Sequence, residues 1–348
     1  MLAQFMVDTL FFRFASPDDT SLMMILDDLQ KHAGDNVTFG VSQLLQAPGV
    51  LDLNTLTGQE ESPITYGDSL YVHELAHAIL LVGPISDQRI LFDRRKTGRN
   101  RLADWYAART DHSAANQLGG YTPQTDVRFT GLQSPIAATR QLIAQPAAPA
   151  PPIVDAQNLT REQTFNITLI DEAELRAKSI TNGIRPLKVG GRSFYVLFMH
   201  VSQATDMRVN TSVGQWLDLQ KAAMTGGDVG DNPIWWEALG MYRRTLIHEN
   251  SRVTNAVSNS GVAVRDTKRA LFCGGQAAVL AFGRAQTQEQ KFTWLEELRD
   301  FGRQIGIGVS AIWGMKKVVF NGRDFAVTVI DTWGVDIDVP GDPATLAQ

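Results

Sequence analysis

His73-Glu74-Leu75-Ala76-His77 is the stretch whose residue types and spacing most directly suggest chemistry. On a helix, histidines four apart share a face and can grip zinc, with the glutamate as general base. Val72, Leu75, Ala76 and Ile79 recur at helical spacing around it, so a helix over the motif is the expectation. The further ligands are harder to find. Position 80 is leucine, so the longer form with a third histidine is absent. No glutamate lies between His77 and Glu162, so Asp87, Asp93, Asp111 or His112 would have to complete the set. A zinc-dependent hydrolase using His73 and His77 is therefore an alternative, set against a surface or interface pair of histidines. His200 with Asp206 and Arg208, and His248 with Glu249, could be imagined as acid–base sets, but polar residues at strand ends and helix starts more often serve structure. No G-x-S-x-G element, Walker loop or dinucleotide fingerprint is present. The single cysteine, Cys273, lies between Phe272 and Gly274. It excludes an intrachain disulfide and a cysteine metal cluster, and its setting suggests a buried thiol.

The totals bound the rest. A chain of 348 residues with 44% hydrophobic content can bury a sizeable core, as two domains or one with long extensions. The formal net charge is −5, without the basic excess of a dedicated nucleic-acid binder. No apolar run approaches the ~20 residues of a membrane span. MLAQFMVDTLFFRFA lacks a basic leader and a cleavage site, so an arm is expected there and not a signal peptide.

The elements that would position these residues follow in order. Within an arm over 1–35, Leu22, Ile25, Leu26 and Leu29 suggest a helix capped by Ser16 or Asp18 and closed by Gly34. Val37, Phe39 and Val41 alternate as a strand; a loop with Pro48-Gly49, Gly58 and Pro63 leads to a second strand from Ile64 to Tyr71. Such a long hairpin cannot bury both faces by itself and needs a partner surface. Residues 86–118 suggest one long helix, capped by Ser86 or Asp87, ended by Gly119-Gly120 and packed through Leu91, Leu102, Trp105 and Tyr106. Arg89, Arg94, Arg95, Lys96, Arg99 and Arg101 give it a basic face for solvent, an acidic neighbour or DNA.

An alanine- and proline-rich stretch within 119–157, with Pro146, Pro149, Pro151 and Pro152, suggests an extended surface excursion. Asn158 can cap LTREQ, and LIDEAELRAKSI continues as helix. Phe194–Met199 is a buried-type run that turns into a helical segment through Gln215, Trp216, Gln220 and Lys221. After a glycine-rich break come NPIWWEALGMY and a strand-like RRTLIHENSRV. Ala270–Phe282 suits strand or helix, and Trp294, Leu295, Leu298 and Phe301 share a helix stripe. Lys316–Phe320 and Phe325–Ile330 suggest strands across the Asn321-Gly322 turn. The tail after Val339 is expected to be mobile.

FYVLFMHVSQATDMRV followed by NPIWWEALGMYRRTLIHE resembles the tailed-phage major capsid proteins, which pair "vlf-H-x-x-Q-x-x-D-L-R" with "NPIF…GALGMY…I-H-E". FTWLEELRDFGRQIGIG and FNGRDFAV resemble the C-terminal pattern of the same family. The likeness spans about residues 20–335, is most specific at 194–253 and 291–330, and is weakest at 119–157. His73–His77 sits where that family passes from an extended loop to a long spine helix. The resemblance implies an α+β fold of the Hong Kong 97 type. Its parts would be an N-terminal arm (1–35), an extended loop (36–80), a peripheral domain with the spine helix (81–199), an axial domain (200–310) and returning C-terminal strands (311–348). It also implies a structural protein with no catalytic residue, metal or cofactor, and Trp216, Trp235 and Trp236 that serve packing. The expected partners are further copies in hexamers and pentamers of an icosahedral head around double-stranded DNA, a portal, and scaffolding or decoration proteins. The expected location is the virion, after assembly in the host cytoplasm. A cellular nanocompartment shell of the same fold is a further alternative.

Overall fold

The computed structural model describes residues 9–18, 20–29, 35–42, 47, 49–52, 54–62, 65–83, 88–89, 91, 93–131, 133–146, 150–179, 183–189, 191–210, 238–283 and 291–335. The strands, in chain order, are β1 (Ala15–Ser16), β2 (Met23–Leu29), β3 (Asn36–Ser42), β4 (Thr65–Tyr71), β5 (His73–Val82), β6 (Gln141–Ile143), β7 (Leu187–Val189), β8 (Arg192–Met199), β9 (Ala238–Tyr242), β10 (Thr245–Glu249), β11 (Thr267–Cys273), β12 (Ala278–Gly283), β13 (Phe292–Arg299), β14 (Gln304–Lys317), β15 (Val319–Phe320), β16 (Arg323–Asp324) and β17 (Val327–Trp333). Among the described residues, the α-helices with defined bounds are α1 (Arg94–Gly119), α2 (Ile167–Lys178) and α3 (Val201–Val209).

Two sheets share one core. The first runs β1-β2-β12-β14-β13, with β5 also paired to β14; the second runs β6-β17-β11-β8-β10-β9, with β7 on β8. Strand β14 organises the first. Ile305, Ile307, Val309, Ala311, Trp313 and Met315 alternate with Gly306, Gly308 and Ser310, the period of a half-buried strand. Its residues 304–311 are flanked by β13 on one edge and β5 on the other, and β12 takes over from β13 at Ile312–Lys317. In the second sheet β10 is parallel to β8, and β11 lies antiparallel between β8 and β17. This sheet draws on 141–143, 187–199, 238–249, 267–273 and 327–333, so its pairing runs across the domain limits expected at 199/200 and 310/311.

Helix α1 begins where Asp93 accepts hydrogen bonds from the Arg95 and Lys96 amides at 2.9 and 3.1 Å. It ends at Gly120, whose φ of 56° is left-handed. The C-terminus agrees with expectation. The start does not, and the expected caps Ser86 and Asp87 lie outside the described residues. Leu102 and Tyr106 are buried and Trp105 packs on the core, whereas Leu91, expected on the packed face, is fully exposed. Gly98 has a packing reason: a Cβ there would meet Ile79 Cδ1 at 2.6 Å, where the helix crosses β5.

Four helix expectations fail. Residues 23–29 form β2, parallel to β12, because hydrogen bonding to a central strand outweighs a short i, i+3 apolar pattern. Residues 292–299 form β13 for the same reason: Trp294 and Leu298 turn to one face and Leu295 to the other, and Phe301 is left exposed in the following turn. LTREQ is irregular; Asp155 caps a 3-10 turn over Ala156–Asn158, and α2 begins later, capped by Asn166. The fourth, at His73–His77, is treated below. Residues 9–29, expected as an arm, enter the core. Phe11, Phe12 and Phe14 are buried, and the Phe11 ring lies 4.4 Å from that of Phe198. The alanine- and proline-rich stretch also departs from a pure surface excursion, since β6 adds to the second sheet and buries Leu142, Ile143 and Ala144. Ala270–Phe282 resolves as two buried strands. Asn321-Gly322 does make the tight turn, with φ of 48° and 71°, but joins only the short β15 and β16. The long strands around it, β14 and β17, belong to different sheets. Residues 211–237, which hold Trp216, Trp235, Trp236 and the NPIWW segment, and the tail from 336 on lie outside the described residues.

Candidate functional site

His73–His77 lies on β5, paired residue by residue with β14 from His73↔Trp313 to Val82↔Gln304. On a strand, residues four apart share a face but stand about 13 Å apart along the chain. Zinc needs two imidazole nitrogens each about 2 Å from the metal, so this pair cannot hold one ion. The helix on which the hydrolase alternative depends is absent because ten residues of β5 find partners on β14. His77 stacks instead on Trp105 of α1, with ring centroids 4.3 Å apart. Arg109 lies above the other aromatics of this row, 5.0 Å from Trp105 and 4.0 Å from Phe129. The Tyr106 hydroxyl sits 2.6 Å from Leu75 O and 3.0 Å from Val309 O and locks α1 onto the sheet. Burial, then the charge of Glu74, pushes that phenol's pKa up. Among the described residues no three His, Cys, Asp or Glu side chains converge as a metal site.

The other polar candidates have local roles. His200 caps α3: its Nδ1 accepts from the Ser202 amide at 3.1 Å, and Gln203 Oε1 accepts from the His200 amide at 3.0 Å. Gln203 then donates to Lys268 O and Thr332 Oγ1 at 3.2 and 2.8 Å, tying α3 to β11 and β17. Burial raises the pKa of Asp206. His248 is buried on β10 against Phe14 and Phe198. Cys273 is fully buried, which raises its thiol pKa.

Sequence reasoning missed the buried ion pairs. Arg269 and Asp331 face each other across β11 and β17 and form a two-pronged pair at 2.7 and 2.8 Å. Arg269 also donates to Gly119 O and Val257 O, so it joins the end of α1 to the second sheet. Lys317 and Asp324 are both buried, 2.6 Å apart, and Asp324 Oδ2 accepts from the Ala137 amide. Burial pulls the Lys317 pKa down, and Asp324 opposes it. Asp331 interrupts an apolar run and Asp324 sits beside a tight turn, but Arg269 and Lys317 each follow another lysine and gave no advance signal.

Two surfaces stand out as unfinished. The first is the hairpin β3–β4, which forms a sheet of two strands only. Its base is anchored: Phe39, Leu70 and Val72 pack with Val279, Ala281 and Val318, and Lys316 binds Asp68 at 2.6 Å. Beyond the strands, the described residues of 47–62 are exposed except for half-buried Val50. Leu51 and Leu56 are 77% and 62% exposed. This agrees with the expected hairpin over 36–71. The second is the face of β13-β14-β5 turned away from α1. Register places Leu295, Gly308 and Ala78 in one row and Glu297, Gly306 and Leu80 in the next. Leu295 and Leu80 are 67% and 46% exposed.

Both surfaces are open faces of the fold, and comparison with known proteins gives them a context. A family profile described as phage capsid protein matches residues 3–335. The chain is 24% identical over 343 residues to the major capsid protein of Pseudomonas phage KPP25, covering 90% of this chain and 88% of that one. In three dimensions it is similar to the capsid of Ralstonia phage GP4, with a TM-score of 0.79 and 26% identity, covering 94% of this chain and 91% of that one. It also matches the capsid of cyanophage Pam1, with a TM-score of 0.68 and 18% identity, over 95% and 93% of the two chains. The α+β arrangement is thus the Hong Kong 97-type capsid fold. With a match over nearly its whole length, the chain belongs to the phage capsid protein family and is a major capsid protein, a structural part of a phage head.

Proposed function

We propose that the chain acts as a tile whose copies self-assemble into hexamers and pentamers of a closed icosahedral shell around double-stranded DNA, without catalysis and without a cofactor. The observation that carries this is the hairpin: a two-stranded projection with exposed Leu51 and Leu56 at its tip, too thin to bury either face alone. A neighbouring copy is the natural cover, because closed symmetry lets one chain reuse the same few contacts many times. The bare face of β13-β14-β5 is a second surface of this kind. Arm, extended loop (36–80), peripheral (81–199 and 311–348) and axial (200–310) regions are part of this proposal as surface roles and not as separate cores. So are a portal at one vertex, scaffolding or decoration partners, and assembly in the host cytoplasm.

The test is electron microscopy and sedimentation of the full chain expressed alone, beside a variant in which 47–62 is replaced by a short Gly-Ser turn. Shells from the first and soluble, folded, unassembled subunits from the second are expected. A wild-type chain that stays monomeric at high concentration, or shells that survive the loss of the tip, would refute the proposal. Shells that carry an enzyme cargo in place of DNA would favour a nanocompartment.

A further inference from the structure

In a chain of formal net charge −5, residues 175–205 contain five lysines and arginines and no aspartate or glutamate. Local structure accounts for some of these cations. Arg176 and Lys178 close the last turn of α2, where they pair with Glu172 and Glu174, and Arg185 is half-buried. Lys188 and Arg192 have no such role. They stand on the short hairpin β7–β8, where Lys188 pairs with Ser193 and Val189 with Arg192, and both are exposed.

The fold adds two more cations from a distant part of the chain. Strand β10 runs parallel to β8 with Thr245 opposite Tyr195, and the Tyr195 amide donates to Arg244 O at 2.8 Å. The β9–β10 turn therefore sets Arg243 and Arg244, both exposed, at the end of the second sheet where β8 begins. Arg243 has an acid, Asp171, at 3.0 Å. Among the described residues, Lys188, Arg192 and Arg244 have no carboxylate partner. Like charges gathered without acids repel one another, and an anion laid across them relieves the repulsion. The basic turns of α1 differ: Arg95 is paired with Glu296, Arg101 lies 3.5 Å from Asp104, and Arg99 stands 5.8 Å from the Trp294 ring.

The chemistry of this rim favours a polyanion over a protein surface. Leu187, Phe194 and Tyr195 beside the cations are buried, and Met241 is the exposed apolar residue among the described parts of these strands. A protein partner needs an apolar centre to its contact, whereas a phosphodiester backbone needs charge and hydrogen-bond donors, which arginine supplies as a planar fork. We propose that Lys188, Arg192 and Arg244 form a phosphate-binding rim through which each subunit touches the backbone of the enclosed double-stranded DNA. The proposal rests on the assembly reading above and names the part of the tile that faces the genome. Three phosphate contacts give weak, sequence-independent binding, so the duplex stays free to slide past the rim. Their affinity should fall about fortyfold between about 50 and 200 mM salt, from a slope of about −2.7 in log K against log salt.

The experiment measures binding of a fluorescent mixed-sequence DNA duplex to the full-length chain, held below its assembly concentration, across that salt range. It compares wild type with a rim variant (Lys188→Gln, Arg192→Gln, Arg244→Gln) and with an α1 variant of equal charge change (Lys96→Gln, Arg99→Gln, Arg101→Gln). The rim variant is expected to bind about tenfold more weakly or worse at low salt and to lose most of the salt slope, while the α1 variant stays within about threefold of wild type. Melting temperatures check folding; should the rim variant melt early, each single substitution is expected to cut the slope by about one. Closed wild-type shells should leave added duplex unbound, because the rim then faces inward. Equal losses from the two variants, an unchanged salt slope, or closed shells that bind duplex as free subunits do would overturn the proposal. So would a folded rim variant that no longer assembles, since the cations would then meet acids of a neighbouring copy. A wild-type chain that makes no shells sinks the assembly reading by itself, and binding by free subunits still decides whether the rim holds phosphate.

Discussion

Replacing Asp331 with alanine tests how the second sheet is joined to α1. The Asp331 carboxylate is buried, accepts two bonds from Arg269 and takes a third from Gln141 Nε2 at 2.7 Å. Removing it leaves the guanidinium in the interior with only Gly119 O and Val257 O as acceptors. Breaking one side of a buried pair costs about 3–5 kcal/mol. For 348 residues the unfolding entropy is about 0.7 kcal/mol per degree, so the melting temperature should fall by about 5 °C. Arg269→Met should cost at least as much, since it strands the Asp331 charge and two carbonyls. The pair Arg269→Met with Asp331→Leu removes both charges and leaves the two carbonyls and the Gln141 amide unpaired, for a total of about 2–4 kcal/mol. Urea unfolding of unassembled subunits, run as a double-mutant cycle, should therefore give a coupling of about 3 kcal/mol or more. A loss below about 1 kcal/mol for Asp331→Ala, or strictly additive single losses, would refute the reasoning, because the pair would then be hydrated or dispensable.

Gly314→Ala should prevent soluble folding or lower stability by several kcal/mol, because its Cβ would lie 2.1 Å from Tyr71 O and 2.7 Å from Leu70 Cδ1, pushing the hairpin base off β14. Gly306→Ala, whose Cβ meets nothing closer than 3.6 Å, should fold normally, and thermal melting of the two separates close approach from a general intolerance of β14. Two neighbours on α1 should oppose each other in acid. Burial raises Asp111 from 3.8 to about 6, despite bonds from the Leu10 and Phe11 amides, so its contribution to stability is present below about pH 4 and lost as pH rises through 6. Burial, then Arg109 and Arg252, lower His112 from 6.5 to about 4, so its contribution is present above about pH 6.5 and lost as pH falls through 4. Asp111→Asn should therefore leave a subunit that loses stability on acidification, and His112→Gln one that gains it, each by about 2–3 kcal/mol between pH 6.5 and 4; parallel pH curves for both variants and wild type would contradict this. Metal analysis of the purified chain and of His77→Ala should give the same trace zinc, and stoichiometric zinc lost with that substitution would contradict the strand geometry of β5.

The sequence by itself determined the parts whose signals are local. Alternation and turn residues marked β3 and β4, and Gly119-Gly120 marked the end of α1. Family-like words at 194–253 and 291–330 carried the fold. Only the tertiary structure decided the identity of β2, β5 and β13, where short apolar patterns suit helix and strand equally and the arbiter is a partner strand distant in the chain. Strand β14 is that partner for β5 and β13, and its pairing converted an apparent zinc motif into one strand edge. The burial of Arg269, Asp331, Lys317 and Asp324 was equally hidden, because a charge is sequestered only when residues 62 and 7 positions apart meet across strands and a turn. The long-range meeting, and not the residue type, sets the dielectric around each group.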